Sequence, residues 1–249
     1  MISIIVQARS GSTRMPNKIL RPFYEGKSIL DLLIEKLKQI ENVDIIIATT
    51  TNPNCNAIEQ TAKNKGVKCF RGSENDVLQR FIDAAKHYNT SRIIRICSDN
   101  PFLELKSIEK LVERGNSQNE ADYISFNIGG KPSIKTHYGF WTEYVTLDAL
   151  KKVKQFTSEQ LYHEHVTNYI YGNPDMFNVQ WIEGPDSILT HQDIRLTIDT
   201  PEDFENAQKI YSDICKSNPY PTIDEMVSYL DHHPYLYAEM KKQIIKNNK

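Results

Sequence analysis

Ser3-Ile4-Ile5-Val6-Gln7-Ala8-Arg9-Ser10-Gly11-Ser12-Thr13-Arg14-Met15-Pro16-Asn17-Lys18 joins a continuous β-branched run to a short loop dense in cations and hydroxyls. A strand apolar on both faces belongs in a sheet that is covered on both faces. The loop behind it carries Arg9, Arg14 and Lys18, the hydroxyls of Ser10, Ser12 and Thr13, and Gly11. A triphosphate needs such a lining: backbone and hydroxyl donors for its oxygens, and guanidinium and ammonium groups to offset its charge. A solvated turn with incidental positive charge has the same composition, so context must decide. Two named phosphate motifs are excluded. The loop has neither G-x-G-x-x-G nor the G-K-[ST] ending of a P-loop.

The same order of strand and helix repeats outward from this stretch. Residues 28–40 place Ile29, Leu32, Leu33, Lys36, Leu37 and Ile40 near one helical stripe, with Ser28 as N-cap. Residues 43–48 read as a second buried strand, 54–65 as a helix stopped by Gly66, and 67–70 as a third strand. Residues 74–88 read as a helix with Val77, Leu78, Phe81, Ile82 and Ala85 on one face. A fourth strand, 92–97, precedes the break at Pro101 and a helix over 105–114 that Gly115 ends. Strands and helices in alternation imply an α/β, three-layer fold with a mostly parallel sheet. Ligands on such sheets bind at the carboxyl ends of the strands, where the polar clusters of this chain fall.

The second half is less regular. Residues 122–126 and 136–145 read as strands joined around Gly129-Gly130, a β-hairpin insertion. Helices are expected over 146–153, 158–171 and 201–214, the last opened by Pro201, and strands over 177–182 and 194–198. The expected organisation is one domain over 1–215, with the hairpin insertion around 124–171, and a helical C-terminal tail over 216–249 whose Lys-rich end frays into solvent. The formal net charge of −2 gives no global field for nucleic acid or anionic lipid, so any phosphate site is local. No stretch nears the roughly 18 apolar residues of a membrane helix. Cys55, Cys69, Cys97 and Cys215 lack C-x-x-C spacing and read as reduced thiols. Neither nucleic acid nor membrane is an expected partner, and the cytoplasm is the expected location.

Two further clusters bear on chemistry. Asp99, in Cys97-Ser98-Asp99-Asn100-Pro101-Phe102, closes the fourth strand, where a carboxylate can hold Mg²⁺ against phosphate oxygens or cap the next turn. Asp199, in Arg195-Leu196-Thr197-Ile198-Asp199-Thr200-Pro201-Glu202-Asp203, precedes a helix and carries the same two readings. Glu202 and Asp203 fall in the first helical turn, where negative charge offsets the dipole.

The loop 7–20 and the turns at Asp99 and Asp199 stand in the order and context of the cytidylyltransferases that make CMP-activated acidic sugars. The chain resembles the CMP-3-deoxy-manno-octulosonate and CMP-acylneuraminate synthetases. Arg71-Gly72-Ser73-Glu74-Asn75-Asp76-Val77-Leu78-Gln79-Arg80-Phe81 and Glu164-His165-Val166-Thr167 resemble the SpsF-type branch, associated with surface and spore-coat polysaccharide. That resemblance implies a nucleotide-diphospho-sugar transferase fold, transfer of CMP from CTP to an acidic sugar with loss of pyrophosphate, Mg²⁺ dependence and a homodimer. It puts the triphosphate on Arg9, Ser12, Arg14 and Lys18, with Ser10 and Gly11 in the same loop. Arg9, Lys18 and Asp99 are its expected catalytic residues. It also puts base and ribose near Ala8, Ala48 and Arg71, metal on Asp99 and Asp199, and the sugar against His137-Tyr138-Gly139-Phe140.

The octulosonate enzymes have Gly-Asp-Glu-Pro in place of Ser98-Asp99-Asn100-Pro101, and glycine in place of Asn17. The sugar therefore stays open. A nucleotide-sugar-dependent glycosyltransferase of the same sheet type is disfavoured, because Cys97 stands at the first position of its Asp-x-Asp motif. A non-catalytic nucleotide-binding protein is the other alternative. His163-Glu164-His165 suggests a metal, but helical neighbours two apart point to different faces, so a dimer contact or a helix at the substrate edge is expected instead. Tyr138, Phe140 and Trp141 read most simply as packing.

Overall fold

The computed structural model describes residues 2–12, 14–117 and 120–247. In chain order the elements are β1 (Ile2–Gln7), β2 (Pro22–Tyr24), β3 (Lys27–Ser28), α1 (Ile29–Leu37), β4 (Asp44–Thr50), α2 (Asn56–Asn64), β5 (Lys68–Gly72), α3 (Val77–His87) and β6 (Arg92–Cys97). There follow α4 (Leu105–Ser117), β7 (Tyr123–Ile128), β8 (Lys131–Pro132), β9 (Glu143–Thr146), α5 (Leu147–Phe156), α6 (Gln160–Glu164), α7 (Asn168–Gly172) and β10 (Val179–Glu183). The chain closes with α8 (Pro201–Ile214), α9 (Ile223–Asp231) and α10 (Pro234–Lys246).

The main sheet runs β10-β7-β9-β6-β1-β4-β5, with β8 on β7. β1 lies parallel to both β4 and β6, and β4 is parallel to β5. β9 enters antiparallel between β6 and β7, and β10 lies parallel to β7. Alternation along β1 supplies the two cores. Ile2, Ile4 and Val6 join residues of α1, α2, α4 and the three last helices, while Ile5 joins residues of α3 and α5. The mostly parallel α/β sheet covered on both faces is thus the architecture that the β-branched run dictates. α9 and α10 add Ile223, Met226, Leu230, Leu236 and Met240 to the same core as α1.

Local signals account for the helix starts. Ser28 and Asp31 close a capping box on α1, Asp76 accepts the Gln79 amide on α3, and Thr200 and Asp203 form a second box on α8 with Pro201 at its first turn.

Other expectations give way to packing. Gly115 does not end α4, which runs on to Ser117. A Cβ there would lie 2.4 Å from Tyr144 Cε2, so the glycine exists to let α4 lie close on β9. Gly129 and Gly130, both at positive φ, turn β7 into the short β8 instead of a strand over 136–145, of which only β9 is regular. The expected helix over 158–171 is two short helices separated at residues 165–167.

Residues 194–198 form no strand. The amides of Leu196 and Thr197 both donate to His137 O, at 2.9 and 3.2 Å. Ile194, Leu196 and Ile198 are buried as a strand would bury them, but Arg195 is buried as well and the segment pairs with a turn. Gly139 allows this approach: its φ is +74°, and a Cβ would meet the Leu196 carbonyl carbon at 3.1 Å. The Lys-rich end is helical through Lys246, and Asn247 Oδ1 accepts from Arg14, so the fraying expected there does not hold up to that point; Asn248 and Lys249 lie outside the described residues.

Candidate active site

The loop after β1 is a closed structure. Ala8 N still donates to Ala48 O at 3.2 Å, extending the sheet by one bond. Ser10 O then accepts the amides of Ser12 and Asn17, both at 3.0 Å, which draws the two ends of the loop together. Buried Met15 and Ile19 anchor it to the core. Asn17 holds φ +58°, the left-handed region where glycine is best and asparagine next best. This explains why an enzyme with glycine there and a chain with Asn17 can share the loop. Beneath it, Ser10 Oγ lies 3.3 Å from Cys55 Sγ, and Thr50 Oγ1 donates to the same sulfur at 3.2 Å. Burial pushes the Cys55 thiol up, but hydrogen bonds from Ser10 and Thr50 outweigh it and bring the thiol down to about 7.

Arg9, Ser12, Arg14 and Lys18 face Ser98, Asp99 and Asp199 across a cleft of about 210 Å³ at the carboxyl ends of β1 and β6. Lys18 Nζ donates to Asp99 Oδ2 at 2.8 Å and to Ile198 O at 2.5 Å, with its side chain only 11% exposed. One ammonium therefore ties the loop to both downstream turns. In a half-desolvated setting such a charge-assisted pair is stronger than on the surface. Arg9 and Arg14 remain at the rim.

Asp199 is held by a deeper cluster. Arg195 bonds Asp203 through Nε and Nη2, both at 2.8 Å, and reaches Asp199 Oδ2 at 3.0 Å. The side chains of Arg195 and Asp203 are 1% and 4% exposed. Asp203 Oδ2 also accepts the amides of Asp199 and Thr200, both at 3.0 Å. Asp203 is thus more than dipole compensation, since it fixes the turn that presents Asp199. Burial works against the Arg195 charge, and Asp203 and Asp199 raise its pKa above the ordinary arginine range.

The remaining expected site residues divide. Ala8 and Ala48 are fully buried, so their side chains meet the core. Gly11 is exposed in the loop, and a Cβ there would come no nearer than 4.0 Å to Glu74 Oε1. Arg71 is turned onto the carbonyls of Thr50 and Asn52 and onto Glu59, at 3.0, 2.9 and 2.7 Å. It stitches the β4 exit rather than opening into the cleft. His137 Nδ1 lies 2.7 Å from Arg195 Nη1, and Tyr138 is buried edge-on to Trp141. His163 is buried against Asp76, 2.9 Å from its Oδ2, whereas Glu164 projects to 3.7 Å from Arg9. The helix carrying them therefore does reach the edge of the cleft. Sequence reading missed Arg195 and the positioning role of Asp203. Their only local signal was the Thr200-Pro201-Glu202-Asp203 capping spacing.

Rim cations, a buried ammonium and two carboxylates around one cleft can receive a polyphosphate and stabilise charge that builds on it. A family model described as cytidylyltransferase matches residues 3–242. An uncharacterized protein of Methanocaldococcus jannaschii is 39% identical over 235 residues, covering 93% of this chain and 91% of its own. The spore coat polysaccharide biosynthesis protein SpsF of Bacillus subtilis is 31% identical over 239 residues, covering 94% and 95%. Among solved structures, a cytidylyltransferase from Leptospira borgpetersenii superposes with a TM-score of 0.82 at 28% identity, covering 95% of this chain and 96% of that one. The basic loop, its facing carboxylates and a family match over nearly the whole chain converge: this chain belongs to the cytidylyltransferase family, in its SpsF-type branch, and is a nucleotidyltransferase.

Proposed function

We propose that the chain transfers CMP from CTP to an acidic sugar, with release of pyrophosphate, for surface polysaccharide or glycan biosynthesis. The observation that carries this reading is Lys18, pinned between Asp99 and Ile198 O inside a cleft rimmed by Arg9 and Arg14. Arg9, Ser12 and Arg14 bind and orient the triphosphate, and Lys18 offsets the charge that develops on it. A sugar oxygen bonds to the α-phosphorus, the bond from that phosphorus to the bridging oxygen breaks, pyrophosphate leaves, and the hydroxyl proton passes to solvent. Such chemistry rests mainly on positioning and charge stabilisation.

Asp99 and Asp199 fit Mg²⁺. Both open on the same cleft, and among the described residues no group of three or more His, Cys, Asp or Glu forms an all-protein cage. That donor set suits an ion that completes its shell with substrate phosphates and water. When bound, Mg²⁺ supplies Lewis-acid neutralisation of phosphate charge. Arg195 then serves to orient Asp199. His137 and Tyr138 lie on the Arg195 side, where the sugar is placed on this reading.

The proposed assembly is a homodimer. Among the described residues no helix is long and apolar enough to cross a membrane; the cytoplasm is the proposed setting.

The test is a pyrophosphate-release assay crossing four nucleoside triphosphates with nonulosonic and octulosonic acids, with and without Mg²⁺. Release with CTP and one acid class is expected. Saturable CTP binding without release from any acid would overturn the reading in favour of a silent nucleotide-binding protein.

A further inference from the structure

Lys36 occupies a position on α1 where the apolar stripe calls for a core residue. It is 3% exposed. Its ammonium donates to Pro101 O at 2.9 Å and to Leu103 O at 2.8 Å. Burial pushes the ammonium down to about 8, against the opposing pull of Cys215 and Glu104. A lysine in this place carries a desolvation cost that a methionine of similar length avoids. The fold alone therefore gives little reason for it. Its two acceptors do.

Both carbonyls belong to the turn between β6 and α4, the turn that begins with Asp99. Its entry is held by Ser98 N on Gln7 O at 3.1 Å, and its exit by Glu104 N on Phe140 O at 2.8 Å. Between these points it carries a proline, which offers no amide to the neighbouring structure. Lys36 holds this middle part, while Asp99, at the start of the same turn, meets Lys18 at 2.8 Å. Cleft and clamp meet on the same short turn.

We propose that Lys36 is a positioning residue for nucleotidyl transfer. By fixing Pro101 O and Leu103 O it sets the turn that presents Asp99, and so the place where Asp99 meets Lys18 and metal-bearing phosphates. This rests on the function proposed above only in its last step, since the clamp itself is a property of the free protein. Polar partners that orient metal-binding side chains commonly change metal affinity or activity about 10–100-fold when removed.

The experiment compares wild type with Lys36→Met, which keeps the volume and removes the donor. In protein free of metal and nucleotide, amide hydrogen exchange of residues 98–104 should speed by about tenfold or more, with β1 and β4 unchanged. In the pyrophosphate assay the Mg²⁺ concentration for half-maximal rate should rise about tenfold, while KM for CTP moves far less. Wild-type exchange in residues 98–104 together with a wild-type Mg²⁺ response would overturn the proposal. If Lys36→Met does not fold, Lys36→Gln, which keeps a donor on a shorter stem, goes through both measurements and should give the same pattern in weaker form. Absence of CTP-dependent release by wild type would refute the function but leave the exchange result to judge the clamp.

Discussion

Replacing Arg195 by Met tests whether the cluster behind Asp199 is a buried ion network. The substitution removes two bonds to Asp203 at 2.8 Å and one to Asp199 at 3.0 Å, between side chains 1% and 4% exposed in the Arg195–Asp203 pair. Breaking a buried pair by removing one partner costs about 3–5 kcal/mol, because a desolvated charge is left behind. Here the amides of Asp199 and Thr200 still donate to Asp203 at 3.0 Å, which offsets part of that cost. The expected loss is about 3 kcal/mol, or roughly 6–12 °C in Tm for a domain of this size. Asp203→Asn should cost less, since Arg195 keeps Asp199 and the asparagine oxygen still accepts from the backbone. The decisive measurement is a double-mutant cycle by urea denaturation. Arg195→Met combined with Asp203→Asn should be at least about 1.5 kcal/mol more stable than the sum of the single costs predicts. Additivity within about 0.5 kcal/mol, or an Arg195→Met cost below about 1 kcal/mol, would refute the network reasoning. Activity should fall further than stability, because Asp199 loses its anchor even in the folded fraction.

Lys18→Met should lower turnover by about a hundredfold or more while the far-ultraviolet dichroism stays that of wild type; a near-normal rate of pyrophosphate release removes Lys18 from the catalytic group. Asn17→Gly should be neutral within about 0.5 kcal/mol, whereas Asn17→Val, forced to φ +58°, should cost about 1–2 kcal/mol in urea titrations. Gly115→Ala should destabilise by about 1–3 kcal/mol, since its methyl would fall 2.4 Å from Tyr144; a cost near zero would mean that α4 can move off β9 freely. The Cys55 thiol titrates at about 7 in the folded chain, below the roughly 8.5 of an unfolded cysteine. Its contribution is therefore fully present above about pH 8.5 and fades as pH falls through 7, so Cys55→Ala should flatten the pH dependence of stability across that window.

What could be read from the sequence followed from local physics. The β-branched run of β1 has one sensible environment, and Ser28 announces its helix through a capping group only a few residues away, whereas the caps Asp76 and Thr200 emerge from the structure. Cations and hydroxyls crowded after β1 likewise need no distant partner to be conspicuous. The misreadings share a different cause. Gly115 looked like a helix end because glycine usually is one, but its reason is Tyr144, which lies far along the chain. Residues 194–198 read as a strand, yet Arg195 is buried along with Ile194, Leu196 and Ile198, and the segment's amide partner is the His137 carbonyl. Periodicity reports burial, not the partner that causes it.

The charges of the cleft sharpen what the loop can bind. Lys18 is matched by Asp99, whereas Arg195 is shared between Asp203 and Asp199, so one carboxylate charge of that cluster stays unmatched. The positive charge left facing the opening belongs to Arg9 and Arg14, with Glu164 standing 3.7 Å from Arg9. A pair of exposed arginines is a weak field for a bare triphosphate but a close match to a metal-bound one, whose net charge is about −2. On the proposed function, then, Lys18 and Asp99 act as a preset pair whose two charges divide between phosphate and metal when the substrate enters. Neither has to be desolvated alone in the free protein, which would cost several kcal/mol. That arrangement makes Asp99 as necessary to holding Lys18 as Lys18 is to holding phosphate. Because asparagine keeps an acceptor for Lys18 but leaves its charge unmatched, Asp99→Asn should tighten binding of metal-free CTP while weakening the response to Mg²⁺, and a pure metal-ligand role for Asp99 does not produce the first effect.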